Sequence, residues 1–156
     1  MKFSLSVRER DEFTCRKCGR QDKRVECAHI YSRKNRALRW EPTNATSLCY
    51  YCHLQWSHRE PLEFAEWIKE QLGEERFAEL TRKAKGAAAK TSIDLEAVNQ
   101  RLDAELKAID DAKRVGNASA YLKGLRSQIY LDPSLPTRPS PIQALVEDLT
   151  PEMVNG

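Results

Sequence analysis

CRKC at residues 15–18 and CYYCH at residues 49–53 decide the fold of this chain. Each stretch holds two cysteines separated by two residues, and two such knuckles in a short span typically provide the protein part of a four-thiolate zinc site. We therefore expect one structural Zn²⁺. The predicted ligands are Cys15, Cys18, Cys49 and Cys52. A zinc ion bound in this way would fix the positions of the residues between and beside the knuckles.

Three polar residues occupy positions that the zinc site would fix: His29, Asn44 and His53. Asn44 precedes the second knuckle by five residues, and His53 directly follows its last cysteine. The run CAHIYSRKNRALRWEPTNATSLCYYCH, residues 27–53, resembles the HNH endonucleases, whose ββα-metal finger carries a His, an Asn and a His in this order. In the zinc-containing branch of that family, two Cys-x-x-Cys pairs flank the catalytic residues. The resemblance covers residues 13–72 and is strongest to bacteriophage and prophage proteins.

The resemblance implies an α+β fold, in which a small zinc-stapled ββα-metal finger is covered by helices. It also implies a metal-dependent endonuclease that hydrolyses phosphodiester bonds of DNA. In that reaction His29 would act as the general base toward water, and His53 would bind a catalytic divalent ion, Mg²⁺ or another such as Mn²⁺ or Ni²⁺. Asn44 would orient the loop and the base through hydrogen bonds.

Each of the three residues has a plainer interpretation when it is considered alone. His29 could be a buried strand histidine or a zinc ligand, and Asn44 an ordinary turn asparagine. His53 could replace Cys52 at the zinc or face water. Since four thiolates already complete a tetrahedron, we expect His53 to remain available for a second ion. The fifth cysteine, Cys27, lacks a knuckle partner, so we expect it to pack as a small buried side chain.

Ala28 departs from the family pattern. Many members carry an acidic residue or a second histidine directly before the base, and that residue helps to bind the catalytic ion. His58 is one substitute, but on an α-helix it would lie about 140° away from His53, so it could reach the ion only if the helix frays before Pro61. Glu26, on the predicted first strand, is a weaker substitute.

The basic residues are concentrated near the start of the chain. Residues 1–40 contain twelve Lys and Arg against five Asp and Glu, whereas the whole chain has a net charge of only +3. Such a concentration is typical of a phosphate-binding surface, although any single basic residue is more often simply solvated. The predicted contacts to the DNA backbone lie in the loop between His29 and Asn44. They are Arg33, Lys34, Arg36 and Arg39.

The chain of 156 residues predicts one modest domain with an appendage. We expect the zinc-bound finger at residues 1–60, with strands at 25–31 and 46–48. Two amphipathic helices at residues 61–86 would cover it. A finger of this size has a marginal apolar core, and structural zinc can contribute on the order of 10 kcal/mol to its folding.

A helical extension is predicted for residues 87–156. Residues 86–91 are small and polar and indicate a linker, and a helix follows from a Ser92 cap to about Arg114. Its narrow apolar stripe requires a partner, either the covering helices or a second copy of the chain. A short helix is predicted at 121–130. Prolines at 133, 136, 139 and 141 then indicate an extended or disordered tail.

Composition also limits the cellular setting. No apolar run approaches the roughly 20 residues of a membrane span, and MKFSLSVRERDEF lacks a signal-peptide core. We therefore expect a protein without membrane contact in a reducing cytoplasm, where thiols bind metal instead of forming disulfides. That this is the cytoplasm of a bacterial host cell is what the resemblance implies. The resemblance suggests a phage or prophage origin. The C-terminal helices could then mediate homo-oligomerisation or docking to a packaging or recombination partner.

Two other classes of function fit the same sequence. A non-catalytic, zinc-stapled nucleic-acid-binding adaptor is favoured by Ala28. A structural protein, assembled through the amphipathic helix that begins near Ser92 and using zinc only as a staple, is the weaker alternative.

Overall fold

The computed structural model describes residues 1–86 and 92–138. Helices and a two-stranded antiparallel sheet form a small α+β fold. The elements in chain order are α1 (Lys2–Arg10), β1 (Glu26–His29), a 3₁₀ turn (Pro42–Asn44), β2 (Ala45–Leu48), a π-helical segment (Tyr51–Ser57), α2 (Pro61–Leu72), α3 (Glu74–Lys85), α4 (Leu95–Arg114) and α5 (Ala118–Ser127). Most of the predicted linker, residues 87–91, and prolines 139 and 141 lie outside the described residues.

The two strands pair in one antiparallel register. Glu26 lies opposite Leu48, and His29 lies opposite Ala45. β1 is shorter than the predicted strand at residues 25–31, while β2 begins one residue earlier than predicted. Side chains of a strand alternate between its two faces, so Glu26 and Ala28 share one face and His29 lies on the other.

The main core surrounds the first cysteine knuckle. α2 contributes Trp67, Ile68 and Leu72, and α3 contributes Leu80, which pack with Cys15 and the buried side of the sheet. Ile68 and Leu72 are almost completely buried, at 0% and 1% exposure. These helices therefore supply apolar surface that the small sheet and the two knuckles cannot bury by themselves.

The apolar stripe of α4 has its partner within the chain. Leu102 packs with Phe3 and Val7 of α1 in a second, smaller core. Lys2 Nζ binds the Asp103 carboxylate at 2.9 Å on the same interface. The stripe thus packs on α1, which was neither of the two predicted partners, because the charged and apolar faces of α1 and α4 are complementary.

The start of α4 also differs from the prediction. The cap is Asp94, not Ser92, because the Asp94 carboxylate accepts hydrogen bonds from the backbone N–H groups of Glu96 and Ala97. A carboxylate at this position satisfies two N–H groups that have no partner within the helix and interacts favourably with the helix dipole.

The segment after α5 returns to the first knuckle. The Arg16 guanidinium stacks over the Tyr130 ring at 4.0 Å and donates to the backbone carbonyls of Asp132 and Ser134. Gly19 has φ +72°, and a Cβ at this position would lie 2.6 Å from the Pro136 carbonyl oxygen. Residues 129–138, which include part of the predicted tail, therefore pack closely against the first cysteine knuckle.

A buried polar network joins this returning segment to α1 and the sheet. Tyr130 Oη accepts a hydrogen bond from Arg10 Nη2 at 2.6 Å and donates to Asp11 Oδ2 at 3.0 Å. It also contacts Thr46 Oγ1 at 3.1 Å. Arg10 and Asp11 form a two-bond ion pair, with both N···O distances 2.9 Å. Because the pair is almost completely buried, every member of the network needs its hydrogen bonds.

We expect Tyr130→Phe to lower the free energy of unfolding by about 1–3 kcal/mol, because it leaves a buried ion pair without one of its hydrogen-bonding partners. Urea denaturation of the zinc-loaded protein measures the change. Tyr121→Phe is the matched control, since Tyr121 is only partly buried and has no side-chain hydrogen bond among the described residues. Equal stability of the two variants would contradict the prediction.

No helix in the described part of the chain is both long and apolar enough to cross a membrane.

Candidate functional site

The four knuckle cysteines converge on one point. The Sγ atoms of Cys15, Cys18, Cys49 and Cys52 all lie within 4.8 Å of one another. The Sγ atoms of Cys18 and Cys49 are 3.7 Å apart, close to the roughly 3.8 Å edge of a tetrahedron with Zn–S bonds of about 2.3 Å. The cluster has the ligand type, number and spacing of a structural zinc site, so these residues could hold that ion.

Without a metal ion, the surroundings of the cluster favour a thiolate at Cys15 alone. A hydrogen bond from the Cys52 thiol lowers the pKa of Cys15 to about 4, and backbone N–H groups of the knuckles act in the same direction. Burial raises the pKa of Cys18, and the hydrogen bond to Cys15 together with burial raises the pKa of Cys52. Cys27 lies outside the cluster, and burial raises its pKa to about 11, so it remains a neutral thiol. The structure thus separates four cysteines suited to metal binding from one that only packs.

Asn44 holds the long loop between the strands. Its Oδ1 accepts from the Tyr31 N–H at 2.8 Å. Its Nδ2 donates to the carbonyls of Tyr31 at 2.9 Å and Leu38 at 3.0 Å. Asn44 is fully buried, so its amide is not available as a metal ligand. All its hydrogen bonds fix the backbone of the loop that follows His29.

His29 lies at the end of β1 with one ring nitrogen bonded to the backbone. Its Nε2 lies 3.2 Å from the Arg39 carbonyl oxygen. A carbonyl oxygen can only accept, so in the neutral ring Nε2 carries the proton and Nδ1 carries the lone pair. Burial lowers the pKa of His29 below its usual value of about 6.5, and the neighbouring Arg33, Arg39 and His53 lower it further. The ring is therefore neutral at pH 7, with Nδ1 able to accept a proton.

The position of His29 is fixed by packing as well. Its ring centroid lies 5.7 Å from that of Phe3 in α1, and the Phe3 ring packs edge-on against Trp40 at 6.0 Å. The His29 ring therefore packs toward α1. Strand alternation places Glu26, the partner of His53, on the opposite face of β1, and the charge of His53 still lowers the pKa of His29.

His53 is fixed by a carboxylate. Its Nδ1 lies 2.7 Å from Glu26 Oε2 across the space between the π-helical segment and β1. This bond places the proton of the neutral ring on Nδ1 and leaves Nε2 as the lone-pair nitrogen. A carboxylate that orients a histidine in this way is the usual outer partner of a metal-binding imidazole. His53 is not part of the cysteine cluster.

His58 lies next to His53, which differs from the prediction. Their ring centroids are 4.9 Å apart, in an edge-on arrangement. The 140° separation was calculated for an α-helix, but residues 51–57 wind as a π-helix. In a π-helix hydrogen bonds join residues five apart, so the wider turn brings His58 back beside His53. Two imidazoles are therefore adjacent on this surface.

The predicted DNA-contacting residues lie on the exposed loop that Asn44 organises. Arg33, Lys34, Arg36 and Arg39 are all exposed. Arg39 stacks over the Trp40 ring at 4.7 Å and provides the carbonyl that binds His29. The loop thus presents several cations beside the end of β1, with its backbone fixed by side chains below it.

Glu26 is the residue that sequence reasoning underestimated. The sequence makes Glu26 only a weak candidate for a metal ligand, whereas in the structure its carboxylate orients His53. The alternation of side chains along a strand does indicate this role. It places Glu26 on the same face of β1 as Ala28, the position at which many family members carry a metal-binding residue. The pairing of Glu26 with Leu48, directly before the second knuckle, then brings its carboxylate toward His53.

No family model matches the chain, and comparison with curated proteins and with solved structures finds no match.

Proposed function

We propose that this protein is a metal-dependent DNA endonuclease built on a zinc-stapled ββα-metal finger. One observation carries the proposal: the Nε2 of His29 is bonded to the Arg39 carbonyl, in a position where burial keeps the ring neutral. A histidine held in this tautomer is prepared to take a proton on Nδ1 at neutral pH. Phosphodiester hydrolysis requires such a base to deprotonate the attacking water.

The other polar residues support that base. Asn44 fixes the loop backbone from Tyr31 to Leu38, and the same loop presents the Arg39 carbonyl that orients His29. The exposed arginines and lysine of this loop would neutralise DNA phosphates and hold the scissile bond near the base. Because binding and base orientation depend on one loop, phosphate contact and base position would be linked.

His53 and His58 would hold the catalytic divalent ion, with Glu26 orienting His53 through Nδ1. Such an ion stabilises the charge that develops on the phosphate and the leaving oxygen. Among the described residues, only the cysteine cluster brings three or more candidate ligand atoms this close together. The two histidines would therefore bind the ion weakly, and water and DNA phosphate oxygens would have to fill the remaining positions.

We expect Glu26→Gln to weaken divalent-ion binding by about 10- to 100-fold, because the orienting carboxylate of His53 is lost. Titration calorimetry with Mn²⁺ on zinc-loaded protein measures the affinity directly. Glu70→Gln, an exposed site on α2 without a side-chain bond among the described residues, makes the same change in charge. Equal Mn²⁺ affinity of the two variants would show that Glu26 does not orient a ligand.

Incubation of the zinc-loaded protein with supercoiled plasmid tests the proposed activity. We expect nicked or linear DNA when Mg²⁺, Mn²⁺ or Ni²⁺ is added, and no conversion without an added divalent ion. The reaction should stop when both His53 and His58 are replaced by alanine. If none of the three ions supports conversion of the plasmid, the proposed nuclease activity is wrong.

A non-catalytic nucleic-acid-binding adaptor is the second candidate. It is favoured by Ala28, which leaves the proposed catalytic site with only two adjacent imidazoles. Under this alternative the four thiolates stabilise a loop that binds DNA, and His53 simply pairs with Glu26 on the surface. DNA binding without cleavage, unchanged when His29 is replaced, would establish it.

A further inference from the structure

The zinc-knuckle surface contains a groove that combines cations with aromatic rings. The groove has a volume of about 640 Å³ and is lined in part by Cys18, Cys49 and Cys52 of the cysteine cluster. Its basic and aromatic lining residues come from both knuckles and from the segment after α5. They are Lys17, Arg20, Tyr51, Trp56, Arg59 and Arg138. None of these residues belongs to the loop at 32–44 that was predicted to contact DNA.

The cations of the groove lack acidic partners among the residues that the structure describes. Lys17, Arg20, Arg59 and Arg138 are exposed, and within residues 1–86 and 92–138 none of them forms a salt bridge. Elsewhere on the surface, basic side chains such as Lys107 and Lys113 do pair with carboxylates. Against these four cations the groove has the carboxylate of Glu60 and the sulfurs of Cys18, Cys49 and Cys52. A zinc ion with four thiolates carries a net charge of −2, so the cations still exceed the negative charge by one. A concave surface with this excess of positive charge is suited to a polyanion.

The two aromatic residues of the groove have different surroundings. Trp56 is covered on one face by Lys17 Nζ at 4.6 Å and contacts the Trp67 ring edge-on at 5.5 Å. Trp56 therefore forms part of the wall and holds Lys17 in place. Tyr51 is 66% exposed, so its ring is available to a ligand. An exposed aromatic ring can stack on a nucleic-acid base, and the cations beside it can contact the phosphates on either side of that base.

We propose that this groove binds single-stranded DNA, with Tyr51 stacking on a base and the four cations contacting successive phosphates. The choice of a nucleic acid rests on the proposed function. A single strand fits better than a duplex because a concave site with an exposed ring can accept an unpaired base, whereas a duplex keeps its bases stacked. The groove and His53 share the segment Tyr51–Ser57, although His53 faces Glu26 of β1 and does not line the groove.

Fluorescence anisotropy with a labelled oligothymidylate and with a duplex, both without added divalent ions, tests the groove. We expect Tyr51→Ala to weaken single-strand binding by about 5- to 150-fold, while Tyr51→Phe retains it, since stacking on an aromatic ring contributes about 1–3 kcal/mol per base. Arg59→Gln should reduce the slope of log K against log salt by about 0.7, corresponding to one phosphate contact on a single strand. Duplex binding should not change in any of these variants.

Two matched variants control for general effects. Tyr50→Ala removes a neighbouring exposed tyrosine that does not line the groove. Arg82→Gln removes an exposed cation of α3. Both should bind the oligothymidylate within twofold of the unaltered protein. If Tyr51→Ala and Arg59→Gln lost affinity for the single strand and for the duplex equally, the proposal would be wrong. It would also be wrong if polyglutamate displaced the labelled oligothymidylate as effectively as an oligonucleotide of equal charge.

The groove and the nuclease can fail separately. If Tyr51→Ala binds the single strand normally while plasmid cleavage still depends on His29, the groove proposal is wrong and the nuclease stands. If the unaltered protein never cleaves but the Tyr51 and Arg59 variants lose single-strand binding, the groove stands and the nuclease is wrong.

Discussion

His29→Ala is expected to slow DNA cleavage by about 10²- to 10⁴-fold while leaving DNA affinity unchanged, because the variant loses the group that accepts the proton from water. Within residues 1–86 and 92–138 the His29 ring makes one hydrogen bond, to the Arg39 carbonyl, and that carbonyl belongs to a loop held independently by Asn44. The loop should therefore keep its position. Single-turnover cleavage of plasmid at saturating Mn²⁺ measures the loss.

His58→Ala separates the base from the ion site. We expect that variant to lose activity at low Mn²⁺ and to recover as the Mn²⁺ concentration rises, since it lacks one proposed ligand. His29→Ala should not recover at any concentration. Identical metal dependence of the two variants, or full activity of His29→Ala, would show that His29 is not the base.

The pH profile gives a second test of the same residue. A base acts only when it is unprotonated, and burial lowers the pKa of His29. As pH falls, kcat/KM should stay constant to below about pH 6.5, the usual pKa of histidine, before it decreases. An inflection above pH 7 would indicate that another group accepts the proton.

Loss of the structural metal is the second large expected effect. We expect a zinc chelator, or Cys49→Ser, to unfold the region around the knuckles. Binding free energies of structural zinc are about 10–16 kcal/mol, whereas typical domains unfold at about 5–15 kcal/mol. Circular dichroism and thermal melting report the unfolding, and elemental analysis should give one zinc per chain before treatment.

Cys27→Ser is the matched control for Cys49→Ser. Cys27 is a cysteine of the same finger, outside the four-sulfur cluster, and it carries a neutral thiol. The variant should keep one zinc per chain and resist unfolding nearly as well as the unaltered protein. If it lost zinc while Cys49→Ser retained it, the assignment of the four ligands would be wrong.

The sequence predicted the parts of the fold that depend on local rules. The spacing of the two knuckles predicted the cysteine cluster, because the ligand geometry of zinc restricts which residues can meet. Pro61 and Gly73 marked the boundaries of α2, since proline favours a helix start and glycine accepts φ +82° at its end.

What the sequence did not predict depends on how distant segments pack. The pairing of α4 with α1 needs contacts between residues about a hundred positions apart, such as Lys2 with Asp103. The π-helical winding that brings His58 to His53 has no local sequence marker. The groove was missed for a similar reason, because Arg138 reaches the first knuckle only through the fold.

The packing of Arg16 against residues 130–134 has a consequence for synthesis on the ribosome. All four cysteines have emerged once the second knuckle clears the exit tunnel, so zinc could bind at that point. The carbonyl acceptors of Arg16 at Asp132 and Ser134 follow Cys52 by roughly 80 residues in the chain, which corresponds to about 4–16 s of synthesis at about 5–20 residues per second. During that interval the nascent chain would carry its metal while this cation, later buried, still faces solvent. Completion of the last segment, and not metal capture, would then be the final step of folding.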